Sequence, residues 1–175
     1  QQEATDSSEL KALQDFTNKS AQTIQELYDT YVNSCFERIR FALNHNYNLR
    51  REDMMIVNTT FQWPAQIKKS LERSFEVQGT RKKELEELLE EDQRRLETDI
   101  TDISKRVESL AENATTHDFR KNVERIAAMT KDLEVRTEQA EEITERETLL
   151  DVPHTDQLPR IDEVTTALEP LNRLW

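Results

Sequence analysis

Glycine is almost missing from this chain: Gly79 is the only one in 175 residues, and there are four prolines. Hairpins and barrels need residues at positive φ every few positions, so the shortage excludes a β-sheet protein. It also excludes the glycine-rich turns that cradle phosphate in P-loops and dinucleotide folds, and the turn glycine of an EF-hand is missing beside the acidic run Glu86, Glu87, Glu90, Glu91 and Asp92. A lone cysteine, Cys35, rules out an internal disulfide and fits a reducing compartment. No run approaches the ~20 apolar residues of a membrane span. Basic residues number 24 against 36 acidic, a net charge of −12 that disfavours nucleic acid and other anionic partners. Basic clusters such as Arg81, Lys82 and Lys83 are short.

What remains is the material of amphipathic helices. Charged residues make up 34% and apolar ones 35%, which supports thin helix-to-helix seams better than a thick core. Asp6 with Glu9 three residues on reads as a capping box, and Leu10, Leu13, Phe16, Ile24, Leu27, Tyr31, Cys35 and Ile39 follow on one face of a helix that ends near Asn44 to Asn48. On that face Cys35 is expected to be a small buried hydrophobe. Residues 54–63, MMIVNTTFQW, alternate instead, with Met55, Val57, Thr59, Phe61 and Trp63 on one side. This is the period of a strand, though no partner strand is in sight.

Pro64 suits the first turn of the next helix. The stripe Ile67, Leu71, Phe75, Leu85, Leu89, Leu96, Ile100, Ile103, Val107 and Leu110 then keeps near a 3.5-residue spacing, a rod on the order of 65 Å in which Gly79 is the expected point of bending. Thr115 and Asp118 read as a second capping box, ahead of Phe119, Val123, Ile126, Met129, Leu133, Ala140, Ile143 and Leu150. The connector DVPHTDQLP follows, then Ile161, Val164, Leu168 and Leu171, with Pro170 expected to kink or restart the last helix. The expected fold is all-α: an elongated antiparallel helical bundle with coiled-coil-like packing and one short extended segment. Its parts are a first long helix over 1–48, an extended connector or lone strand over 49–63, an antiparallel helical pair over 64–152, and a connector with the start of another helix over 153–175. The opening Gln1-Gln2 and the apolar ending through Leu174 and Trp175 suggest a piece of a longer chain.

No catalytic, cofactor-binding or metal-binding residue stands out. His45, His117 and His154 are scattered over connectors and helix starts, and neither His-Glu-x-x-His nor Glu-x-x-His occurs. Asn58-Thr59-Thr60 and Asn113-Ala114-Thr115 fit the glycosylation acceptor pattern, which is common by chance.

One stretch carries more. EEITERETLLDVPHTDQLPRIDEVTTALEPLNRLW resembles the part of dynein heavy chains where the helical tail hands over to the motor's linker, and more closely the axonemal chains than the cytoplasmic ones. The residues concerned are Glu147, Leu149 and Leu150, then Pro153 and Pro159, then Leu168, Pro170, Leu171, Leu174 and Trp175. Thr144 stands where asparagine is common in that family, and Asp151 where glycine often appears. The resemblance is specific over residues 138–175 and rests on pattern and order over 50–137. It implies a non-catalytic strut in the tail of an ATP-driven microtubule motor, with no cofactor of its own. The implied setting is the cytoplasm and cytoskeleton, and specifically the axoneme of a cilium. The implied partners are the rest of the heavy chain, dynein intermediate and light chains, or another heavy chain; nucleic acid and membrane are not among them. A spectrin-like or other coiled-coil scaffold rod is the competing expectation, although no repeat of about a hundred residues is evident. An enzyme or metal-binding bundle comes third.

Overall fold

The computed structural model describes residues 4–113 and 118–174. It is an all-α helical bundle with no strand among the described residues. In chain order the elements are α1 (Ser7–Leu27), a π-helical turn (Tyr28–Val32), α2 (Asn33–Asn44), α3 (Arg51–Asn113), α4 (Phe119–Leu150) and α5 (Gln157–Leu174). They form two compact units, Gln1–Lys83 and Glu84–Trp175, with α3 contributing to both.

In the first unit the capping box does its expected work with one displacement. Asp6 caps α1 by accepting from the Glu9 amide at 2.8 Å, while Glu9 reaches back to the Thr5 amide at 2.8 Å and the Thr5 hydroxyl at 2.7 Å. Ala4, Ser7, Leu10 and Thr17 are buried at three- or seven-residue spacing. Gln78 of α3 is buried opposite and donates to the Thr17 hydroxyl at 2.8 Å and the Ser74 hydroxyl at 3.0 Å. A second pairing, Phe36 edge-on to Phe61 with centroids 5.9 Å apart, falls after Thr17 in the chain, on α2, and before Gln78 on α3. The two helices of this hairpin therefore run antiparallel. Arg81, read from the sequence as part of a basic cluster, donates to the Ala4 and Thr5 carbonyls at 2.9 and 3.2 Å.

The apolar face expected along the first helix does not hold beyond its first turns. Leu10 is buried, but Phe16, Leu27 and Tyr31 are exposed and so is Cys35. The π-helical turn explains the later part: it adds a residue to one turn, with the Asn33 amide donating to the Tyr28 carbonyl, and rotates everything after it by about 100° relative to a regular helix.

The expected strand at 54–63 is corrected to helix. These residues lie inside α3, and the turn out of α2 is confined to residues 45–50. A lone strand would leave its amides and carbonyls unpaired, whereas a helix pairs them within itself. The three-to-four spacing was present beneath the alternation: Asp53, Val57, Phe61, Pro64, Ile67, Leu71 and Ser74 are half-buried on one face. Pro64 is thus interior to α3 and does not start a helix. Gly79 causes no break either, since α3 runs through it.

The second unit carries a regular seam. Leu89, Leu96, Ile100, Ile103, Val107 and Leu110 of α3 are buried in alternating steps of four and three once Gln93 is counted, and Leu85 extends the row. On α4 the row is Asn122, Ile126, Met129, Leu133, Ala140, Ile143, Glu147 and Leu150. Phe119 and Val123, expected inward, face out; Asn122 takes the inner position. The α3–α4 pair is antiparallel, since Arg106, Arg136 and Arg146 meet Asp132, Asp99 and Asp92 respectively, at 3.1, 3.3 and 2.7 Å. α5 runs beside α3 in the same direction, with Gln157 bonded to the Gln93 carbonyl at 3.0 Å and Arg160 paired to Glu97. Ile161, Val164 and Leu168 complete the core. α4 stops at Leu150, as Pro153 required, with Asp151 at φ 58° as its left-handed cap. Pro170 neither kinks α5 into two elements nor restarts it. Thr115 of the second expected capping box and His117 lie outside the described residues; Asp118 makes no side-chain cap bond.

Two substitutions test the regularity of α3. Nothing lies within 4 Å of a Cβ built on Gly79, so Gly79→Ala should stabilise the chain by about 1 kcal/mol. Pro64→Ala restores a helix-interior amide and should add up to about 3 kcal/mol. Thermal melts followed by circular dichroism would read both, and a lowered midpoint for either would contradict a continuous helix.

Candidate functional site: a buried carboxylate where three helices meet

Near the end of α4 a heptad core position that would normally hold an apolar side chain is filled by Glu147, which is 0% exposed. A carboxylate can be buried at tolerable cost only when its oxygens are supplied with donors. Four groups supply them. Gln93 Nε2 of α3 donates to Oε1 at 2.7 Å, and the Thr155 hydroxyl donates to the same oxygen at 2.7 Å. The Thr155 amide donates to both oxygens at 3.1 and 3.2 Å, and His154 Nδ1 donates to Oε2 at 3.0 Å. The backbone of Glu147 also takes part, its carbonyl accepting from the Val152 amide at 3.0 Å.

The local sequence explains how the donors arrive. Asp151 in the left-handed region reverses the chain, Pro153 prevents α4 from continuing, and His154 and Thr155 are brought back over the last turn of α4. α5 then starts at Gln157, with Pro159 in its first turn, where a missing amide costs nothing. Gln157 is itself buried, and its Nε2 bonds the Gln93 carbonyl, so one residue of α3 is held by both α4 and α5. A shallow groove runs past this junction, lined by Gln93, Arg94, Glu97, Asp156, Gln157 and Arg160.

Burial acts to raise the Glu147 carboxyl, but the hydrogen bonds from Thr155, His154 and Gln93 outweigh it and hold the group below its ordinary value of 4.5. The charged form is therefore the one the junction is built around. Every contact uses the carboxylate as an acceptor, which suits it to fastening helices together.

Other residues singled out in the sequence are not drawn into this junction. His45 caps α2, its Nδ1 2.9 Å from the Phe41 carbonyl, and Cys35 is exposed in the other unit. Of the acidic run, Glu90, Glu91 and Asp92 are paired with Arg94, Arg95 and Arg146. Among the described residues no group of three or more His, Cys, Asp or Glu could hold a metal ion, and no helix is long and apolar enough to cross a membrane. Comparison with family models, curated proteins and solved structures gave no match.

In the sequence Glu147 stands out only through the resemblance, and Gln93, Thr155 and Gln157 belong to no motif. A signal for Gln93 and Glu147 is their polar character at core positions of heptad rows that are mostly apolar.

Because the Glu147 carboxyl is held below its unfolded value, its contribution to stability is complete above about pH 4.5 and is lost as pH falls through the folded value. Glu147→Ala should cost about 2–4 kcal/mol at neutral pH by leaving buried donors unmatched. Glu147→Gln should show a shallower fall in stability on acidification than the parent chain. Urea denaturation at several pH values would measure both; parallel pH profiles would contradict this account.

Proposed function

We propose that this chain is a non-catalytic, load-bearing segment of a dynein heavy-chain tail, joining the attachment to the outer doublet of a cilium to the linker of the motor. One observation supports the reading above others. Four of the residues that carry the resemblance, Glu147, Leu150, Pro153 and Pro159, make or flank the buried junction between α4 and α5, and a fifth, Leu168, is buried farther along α5. A helix-to-helix handover fastened by a desolvated carboxylate resists being pulled apart, because separating the helices would expose the seam and strand the donors. Continuous helices without a glycine hinge transmit force better than flexible linkers. On this reading the chain binds no cofactor, the ATPase belongs to another part of the heavy chain, and the partners are intermediate chains, light chains or a second heavy chain.

A scaffold rod of the spectrin kind is the second reading, favoured by the up-down-up order of α3, α4 and α5 in the Glu84–Trp175 unit.

The native protein separates the two. Under the motor reading it should be released from axonemes by high salt, sediment with dynein intermediate chains and travel with outer-doublet preparations. Recovery with a cortical actin skeleton, and none with axonemes, would favour the scaffold and overturn the motor.

A further inference from the structure

Between residues 28 and 63 the chain doubles back through the turn at 45–50, and over that whole length no side chain is buried. Helices of this size draw their stability from burying a face, so a hairpin without a core is an incomplete structure. Its composition is that of an interface. The segment holds seven of the chain's eleven aromatic residues, two of its three methionines and no lysine, all four basic residues being arginine. Interface cores are enriched in aromatics, methionine and arginine and depleted in lysine and glutamate. The exposed side chains include Phe41 at 65%, Tyr47 at 64%, Ile56 at 66% and Trp63 at 56%, with Leu43 and Met54 close to half exposed.

The area is sufficient for a stable dimer. A half-exposed aromatic ring offers roughly 100 Å², so the hairpin's exposed apolar side chains offer on the order of 1,000 Å². The hairpin as a whole therefore exposes more apolar area than the roughly 800 Å² per partner that a stable complex buries.

Charge selects the occupant. Residues 28–63 contain four basic and four acidic residues and are neutral, whereas the chain as a whole carries −12. A second copy of the chain is repelled elsewhere and is not repelled here. A two-helix hairpin is also completed by another hairpin into a four-helix bundle, a packing in which every apolar stripe finds a partner. We infer that residues 28–63 form a self-association surface, and that two copies of the chain pack these hairpins together into an intermolecular four-helix bundle. This stands independently of the motor reading.

Sedimentation velocity of the full chain across the micromolar range tests it. The parent chain should be dimeric, and Phe41→Glu with Trp63→Glu should weaken association roughly tenfold or more. Val135→Glu, at an exposed position of the other unit, should leave association unchanged. Cys35 is exposed and is the only cysteine, so a nitroxide attached there gives a second readout on the otherwise unaltered chain: dipolar coupling between two copies. A monomer at every concentration with no dipolar coupling would overturn the inference and leave the hairpin to a helix from elsewhere. So would a dimer that survives the hairpin substitutions.

Discussion

Apolar side chains at three-to-four spacing need a second helix, and almost everything in this protein follows from how that need is met. With one glycine in the chain and no sheet among the described residues to pack against, each stripe must pair with another stripe. In the Glu84–Trp175 unit three stripes close on one another and bury leucine, isoleucine, valine and methionine to a few percent exposure. In the Gln1–Lys83 unit two stripes meet around Leu10, Thr17 and Gln78 and stay paired as far as Phe36 and Phe61, yet bury no side chain between residues 28 and 63, leaving a long hairpin half in water. The contrast between a closed seam and an open one is the main structural fact about the chain.

Polar residues at core positions do the remaining work. Gln78 with Thr17 and Ser74 fixes how α1 sits on α3, since a misregistered pair would strand the amide; its Oε1 has no donor among the described residues. Glu147 does the same at the other end with more partners and a charge. Such groups add less net stability than an apolar side chain of equal size, but they penalise every alternative register. In a long helix pair, where a slip of one heptad costs little apolar burial, that penalty is what defines a single structure.

The sequence made the helical class legible, along with most of the second unit. Leu96 through Leu110 and Ile126 through Leu150 lay where their spacing put them, and Pro153 ended α4 as its geometry requires. The misreadings have separable causes. Alternation at 54–63 is a coincidence of Met55, Val57, Phe61 and Trp63, against which stand the absence of a partner strand and the three-to-four spacing of Val57, Phe61 and Pro64. The inward face of Cys35 was lost to a π-helical turn that no residue in YDTYV announces. Gly79 and Pro170 have low intrinsic helix propensity, which the continuity of α3 and α5 overrides. Within the junction Glu147 and the two prolines could be read as a motif. Thr155 could not, because its role depends on a backbone reversal at Asp151 that is visible only in three dimensions.

α3, α4 and α5 are fastened as one unit through the buried carboxylate of Glu147. Amide hydrogen exchange measured by mass spectrometry, peptide by peptide across residues 89–100, 143–157 and 157–168, tests this most directly. The three stretches should exchange slowly and lose protection together, with the Thr155 amide protected despite lying in a connector. Exchange at residues 151–156 as fast as at the turn 45–50, while α3 and α4 stayed protected, would contradict it.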